Sequence, residues 1–138
     1  MTNLIIKPLL FDQEAIKALY IDNKWYAYTN DLDSLYRGIQ QSTESFGAYI
    51  DDLLVGLIRV ISDKETICYI QDILILESHQ RQGIGTKLIN TITTKYSNCR
   101  QILLMTDNTD KQKQFYQSCG FQSYQEVDAI GYKYIQNK

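Results

Sequence analysis

The sequence predicts an α/β fold: one mixed sheet with helices on its faces. Two observations lead there. Apolar residues change period along the chain, from the 3.6 of helices to the 2 of strands and back. Strand-like segments also come in two arrangements, first a run joined by tight turns, then strand–helix–strand units. A meander and crossover units sharing one sheet make that sheet mixed.

Residues 3–7 read as a short edge strand. Asp12 is placed to cap a helix whose inner face carries Ala15, Ile16, Leu19 and Tyr20. A second helix is expected from Asp31, with Leu32, Leu35, Tyr36 and Ile39 in one stripe. Between the two lies an aromatic-rich loop, Trp25-Tyr26-Ala27-Tyr28. Segments 46–50 and 53–61 read as strands joined through Asp51-Asp52, a tight hairpin. A turn at 62–65 leads to a long strand over 66–76, apolar on both faces at its end, as a central strand is. A loop at 77–82 leads to Gly83-Ile84-Gly85. A helix follows, buried through Ile84, Leu88, Ile89, Ile92 and Tyr96. Residues 101–105 form another apolar strand. Thr109 or Asp110 caps a last helix that ends near Cys119, where Gly120 stops it. Segments 121–125 and 130–135 read as the final two strands. The only proline is Pro8, so nothing interrupts the long elements.

The 138 residues suit one domain, 1–138. At 44% apolar and 22% charged, the composition is that of a globular protein. A net charge of −2 with no basic stripe disfavours nucleic-acid binding. Apolar runs such as Ile73–Leu76 are too short to span a bilayer, and the N-terminus does not read as a secretion signal. The three cysteines, Cys68, Cys99 and Cys119, show no metal-type spacing. They read as free thiols in a reducing cytosol. His79 is the single histidine, so a two-histidine metal site is excluded and no metal is expected.

The informative segment is Gln80-Arg81-Gln82-Gly83-Ile84-Gly85-Thr86, between a buried strand and an amphipathic helix. The first turn of a helix has unpartnered N–H groups and a positive dipole end, which suit a phosphate. Glycines at 83 and 85 let backbone approach an anion, and Arg81 and Lys87 add charge. A plain strand-to-helix turn would use the same glycines. The dinucleotide fingerprint is absent, since Leu88 stands where its third glycine would be, and no Gly-Lys-Ser/Thr follows for a P-loop.

Strand Ile73-Leu74-Ile75 followed by Gln80-x-x-Gly83-x-Gly85 and a helix resembles the acetyl-CoA signature of the GNAT superfamily of N-acetyltransferases. Downstream, Phe115-Tyr116-Gln117-Ser118-Cys119-Gly120-Phe121 resembles that family's Tyr-x-x-x-Gly-Phe ending of the last helix. The resemblance covers about residues 3–135. It implies a mixed, mostly antiparallel sheet of six to seven strands with about four helices on its faces.

The resemblance also implies an activity: acetyl transfer from acetyl-CoA to a primary amine, with a small-molecule acceptor favoured over a protein. Backbone groups of Ile73, Leu74 and Ile75 would pair with the pantetheine arm, one amide serving as an oxyanion donor. The loop and helix start at Gln80, Arg81, Gln82, Gly83, Ile84, Gly85 and Thr86 would hold the pyrophosphate. Tyr116 would protonate the leaving thiolate. The family often has Asn seven residues before this tyrosine. Thr109 stands there, so Asn108 is the expected substitute in contacting the cofactor. Asp72, a carboxylate in an apolar strand, is either the general base, a structural hydrogen-bonding residue or an exposed face residue. Glu77 and His79 are weaker base candidates. The acceptor would meet Trp25, Tyr26, Tyr28 and Arg59, although those aromatics equally suit the lid of the core.

Two other classes stay open: a non-catalytic acyl-CoA-binding module and a nucleotide-binding domain. The second lacks a placed acidic residue for ribose. A homodimer through the last two strands, with Tyr124, Tyr132 and Tyr134, is also expected.

Overall fold

The computed structural model describes residues 3–136. They fall into two compact units that divide between Met105 and Thr106.

The first unit contains β1 (Leu4–Pro8), α1 (Gln13–Asp22), α2 (Tyr26–Thr29), α3 (Leu32–Gln40), β2 (Glu44–Ile50), β3 (Leu53–Ser62), β4 (Ile67–Ile75), α4 (Ile84–Lys95) and β5 (Gln101–Leu104). The strands make one mixed sheet in the order β1-β2-β3-β4-β5. The first three pairings are antiparallel, and β4–β5 is parallel across the α4 crossover. Helix starts follow the sequence. Asp12 Oδ1 accepts from Glu14 and Ala15 N–H, and Asp31 Oδ1 accepts from Ser34 N–H. The β2–β3 hairpin turns on Asp51 and Asp52, both left-handed at φ 49° and 67°, which matches the twist of the flanking strands.

Helices α1 and α3 bury Ile16, Leu19, Tyr20, Leu35, Tyr36 and Ile39 in one cluster with Tyr49, Leu54, Leu57 and Leu74 of the sheet. Helix α4 buries Ile84, Leu88, Ile89 and Ile92. Its approach depends on Gly56, where a Cβ would lie 2.8 Å from Ile75 Cδ1 and 3.3 Å from Leu88 Cδ1.

In the β3–β4 ladder, Arg59 faces Asp72 but Val60 faces Ile70, so Gln71 is an extra residue on β4. Such a bulge shifts side-chain alternation by one. It leaves Gln71 exposed and turns Asp72 inward, with Leu74 in the α1–α3 core.

The second unit holds α5 (Asp110–Ser118), capped by Thr109 Oγ1 on Gln112 N–H, and a 3₁₀ turn over Tyr124–Val127. The two strands expected at 121–125 and 130–135 do not form, so the described sheet has five strands, not six to seven. Around Tyr124 the backbone is spent on the turn instead. Ala129 N–H donates to Tyr124 O at 2.8 Å, and Asp128 is left-handed at φ 60°. Residues 130–135 have strand-forming side chains but no ladder partner among the described residues, and Tyr132 is 93% exposed. The aromatic loop at 25–28 is also corrected, because Tyr26–Thr29 makes a single helical turn.

Candidate active site

Strand β5 pairs with β4 only from Ile67 to Ile70 and ends at Leu104, while β4 continues to Ile75. The outer side of β4 beyond Ile70 thus has no strand neighbour in the sheet. Which residues offer polar groups there follows from register. Leu76 N–H donates to Val55 O at 2.8 Å, so Leu76 turns toward β3. By strand alternation Leu74 does too, and Ile73 and Ile75 turn their N–H and C=O groups to the open side. Of the three residues expected to pair with a cofactor arm, two therefore present backbone to the gap. The third, Leu74, presents only a core side chain. The Ile75 carbonyl is already capped by Asn23 Nδ2 and Gln80 Nε2, each at 3.1 Å.

The loop beyond β4 passes through a 3₁₀ turn at Glu77–His79 and two left-handed residues, Arg81 (φ 64°) and Gly83 (φ 82°). Helix α4 then starts without any side-chain cap, unlike α1, α3 and α5. Its first turn, Ile84, Gly85 and Thr86, presents N–H groups and the positive dipole end to whatever lies beyond. A Cβ on Gly83 would touch nothing within 4 Å, so that glycine is there for its backbone angle, not for room. Gly83→Ala is expected to lower stability by about 1–2 kcal/mol through left-handed strain, read in a denaturant melt. A loss much above that would mean an unseen steric role.

Asp72 and Arg59, expected at the site separately, form one buried ion pair. They are 2% and 6% exposed, with Arg59 Nε 2.6 Å from Asp72 Oδ2. Asp72 Oδ2 also accepts from Tyr20 Oη at 2.9 Å, and Oδ1 accepts from Tyr28 Oη at 2.8 Å. The Tyr28 oxygen accepts from Arg59 Nη2 and Gln71 Nε2, both at 3.1 Å. Arg59 Nη1 donates to Ser42 Oγ at 3.1 Å. Burial, then the charge and hydrogen bond of Asp72, push the Tyr20 phenol far above its usual range. Burial followed by the Asp72 charge raises Tyr28 as well. Burial alone would lower the Arg59 pKa, but Asp72 more than reverses this. Above the pair, Tyr20 makes edge contacts with Trp25 and Tyr28, at 5.8 and 5.4 Å between ring centres. Tyr26 is 58% exposed. Sequence reasoning missed Tyr20 as a polar partner and Gln71 altogether. A bulge leaves no local signal, and Tyr20 lies 52 residues from Asp72.

In the second unit Tyr116 sits between Phe115 and Phe121, at 4.9 and 6.0 Å. Burial, with Cys119 adding and a side-chain hydrogen bond to Thr106 opposing, pushes its phenol up to about 12. Asn108 is exposed in the segment before α5. The neighbouring Thr109 is spent as the helix cap. Glu77 is exposed, and His79 Nδ1 lies 2.8 Å from Ser78 Oγ.

Comparison with known proteins gives a consistent picture. The model of the Acetyltransferase (GNAT) domain matches residues 10–131, across both units. A curated protein of Gibberella zeae, provisionally named an acetyltransferase, is 30% identical over 145 residues, taking in 89% of this chain and 80% of its own. Among solved structures, a GNAT-family acetyltransferase protein of Streptococcus pneumoniae superposes with a TM-score of 0.86 at 28% identity, over 100% of both chains. An aminoglycoside N-acetyltransferase in complex with CoA shares the fold, with a TM-score of 0.76 at 16% identity over 100% of this chain and 97% of that one.

Proposed function

This chain belongs to the GNAT acetyltransferase family, and on that premise we propose that it moves an acetyl group from acetyl-CoA to a primary amine by direct attack. The observation that carries the reading is the open edge of β4 running directly into the uncapped start of α4. One is a backbone edge for a pantetheine amide chain, and the other is a cradle for a pyrophosphate.

In this reading Ile73, through its N–H and C=O, and Ile75, through its N–H, pair with the arm, and an amide on that edge meets the thioester oxygen as charge builds on it. The pyrophosphate lies against the N–H groups from Gln82 to Thr86, with Arg81 and Lys87 as mobile counter-charges. Gln80 holds the loop through the Ile75 carbonyl. The neutral amine attacks the carbonyl carbon, the C–N bond forms, and the C–S bond breaks. The departing sulfur takes a proton from Tyr116, the proton shed by the amine passes to solvent, and solvent returns a proton to the Tyr116 phenolate. Asn108 contacts the cofactor. Trp25, Tyr26, Tyr28 and Arg59 stand on the acceptor side, and a small organic amine suits ring faces better than a folded protein does. Residues 1–138 act as one domain in the cytosol, with acetyl-CoA as co-substrate and no call on a metal. The single family match spanning both units supports the one-domain part.

The test is thiol release from acetyl-CoA across a panel of polyamines, aminoglycosides, amino acids and peptides with free N-termini or lysines. Release above background with one class supports the enzyme and identifies the acceptor. Acetyl-CoA binding without release for any class would favour an acyl-CoA-binding module. Absence of acetyl-CoA binding would overturn the reading.

A further inference from the structure

We propose that the Arg59–Asp72 ion pair is a positioning latch: through the hydroxyls of Tyr20 and Tyr28 it fixes α2 and the ring face of Trp25 and Tyr28, and Asp72 is not the base that deprotonates the acceptor. The assignment of that face to the acceptor rests on the acetyltransferase reading, but the latch does not.

Three facts carry this. First, Asp72 is spoken for. Its two oxygens take three donors, one of them a cation at 2.6 Å, out of about four acceptor positions. A base must lie within hydrogen-bond reach of the proton it takes. Here Tyr20, Tyr28 and Arg59 stand between the carboxylate, 2% exposed, and any approaching amine. Second, the Tyr28 hydroxyl is also complete. It donates once, to Asp72, and accepts twice, from Arg59 and Gln71. A phenol oxygen has no further capacity. It therefore serves as a tie, with only its ring left to meet a ligand. Third, α2 cannot hold itself. It is four residues long, has no side-chain cap and buries no residue, and one turn is far below the length at which helices persist alone. What holds it lies outside it. Its Tyr28 is bonded to a buried charge pair that joins β3 to β4, and its ring packs against Tyr20 of α1 and against Trp25, at 5.4 and 6.1 Å. The bulge at Gln71 completes the arrangement by turning Asp72 inward and leaving Gln71 at the rim to bond Tyr28 from outside.

Trp25 is the only tryptophan, so its fluorescence reports the latch without any substrate. Two variants are compared with the parent protein. Tyr28→Phe removes one oxygen and no charge. The double change Arg59→Met with Asp72→Leu replaces both charges by apolar groups and leaves neither ion stranded. Far-UV circular dichroism confirms the fold of each. In both, Trp25 emission shifts to the red, acrylamide quenches it more readily, and amide exchange speeds up at 26–29 while β3 and β4 stay protected. In acetyl transfer both raise the acceptor KM about tenfold, equivalent to about 1.4 kcal/mol of lost acceptor binding. Both change kcat less than KM and keep the acidic limb of the pH profile. Unchanged Trp25 emission and exchange in Tyr28→Phe would overturn the latch, whether or not an acceptor is known. Loss of the acidic limb in the double variant, with Tyr28→Phe silent, would make Asp72 the base and overturn the proposal equally. If no acceptor is found, the fluorescence and exchange results still decide the latch.

Discussion

Tyr116→Phe lowers kcat for acetyl transfer by about 10²–10⁴-fold, the usual contribution of a positioned proton donor, and leaves acetyl-CoA affinity nearly unchanged. The reason lies in what the phenol has to do. Breaking the C–S bond leaves charge on sulfur, and a proton delivered as that charge develops lowers the barrier. The donor must hold its proton at neutral pH. Burial among Phe115 and Phe121 pushes the Tyr116 phenol up to about 12, so it is protonated throughout the working range. The sign follows directly. A raised pKa keeps the acid form present as pH climbs and removes it only near the raised value. Rate profiles at saturating acetyl-CoA should therefore show no alkaline fall assignable to Tyr116 between about pH 8 and 10, near and below the ordinary phenol range. A fall there that vanishes in the phenylalanine variant would mean a phenol of ordinary pKa, and so a more solvated site. Phenylalanine keeps the ring packing, so a matching loss of acetyl-CoA affinity would point to binding in place of proton transfer. Single-turnover rates separate the two, because a lost donor slows chemistry and not association.

What was legible in the sequence was what is local. Asp12 caps its helix as read, and the helix read from Asp31 starts there, since a cap and the amides it serves lie within three residues. The Gln80–Thr86 loop was legible for the same reason: strand, glycines and helix start are contiguous, and one short motif specifies the turn. Strands were legible only where a neighbour exists. Residues 130–135 have the same alternation as β2, yet alternation is permission to pair, and β2 has both β1 and β3. Helix α2 has too few residues to show a period. The Asp72 cluster was half-read. The sequence marks Asp72, Arg59 and Tyr28 separately, but their union with Tyr20 depends on separations of 13, 44 and 52 residues from Asp72 and on a bulge that no periodicity announces. A buried carboxylate in an apolar strand did show that it needed a partner. Only the fold showed that the partners were a cation and two phenols.

The same ion pair predicts the largest change in stability. Asp72→Asn is expected to cost about 3–5 kcal/mol, because it strands the Arg59 guanidinium without its counter-charge in a site where both are nearly sealed from water. In a domain of this size that lowers Tm by roughly 10–20 °C. Asparagine fills the same space and still accepts one hydroxyl, so the loss reflects charge and not volume. The combined Arg59→Met and Asp72→Leu variant should be far less harmed, within about 1–2 kcal/mol of the parent, since replacing both ions by apolar groups removes their desolvation cost together with their attraction. The two phenols set how close it comes to neutral. Tyr20 and Tyr28 would each lose an acceptor. Tyr20, at 0% exposed, would leave a buried hydroxyl unpaired at about 1–3 kcal/mol, whereas Tyr28 keeps access to solvent. Adding Tyr20→Phe to the double variant should therefore recover stability, although the same change in the parent should reduce it. That reversal of sign, measured by urea melts on the four proteins, is what a closed network predicts. Equal losses from Tyr20→Phe in both backgrounds would mean that its hydroxyl draws on another partner.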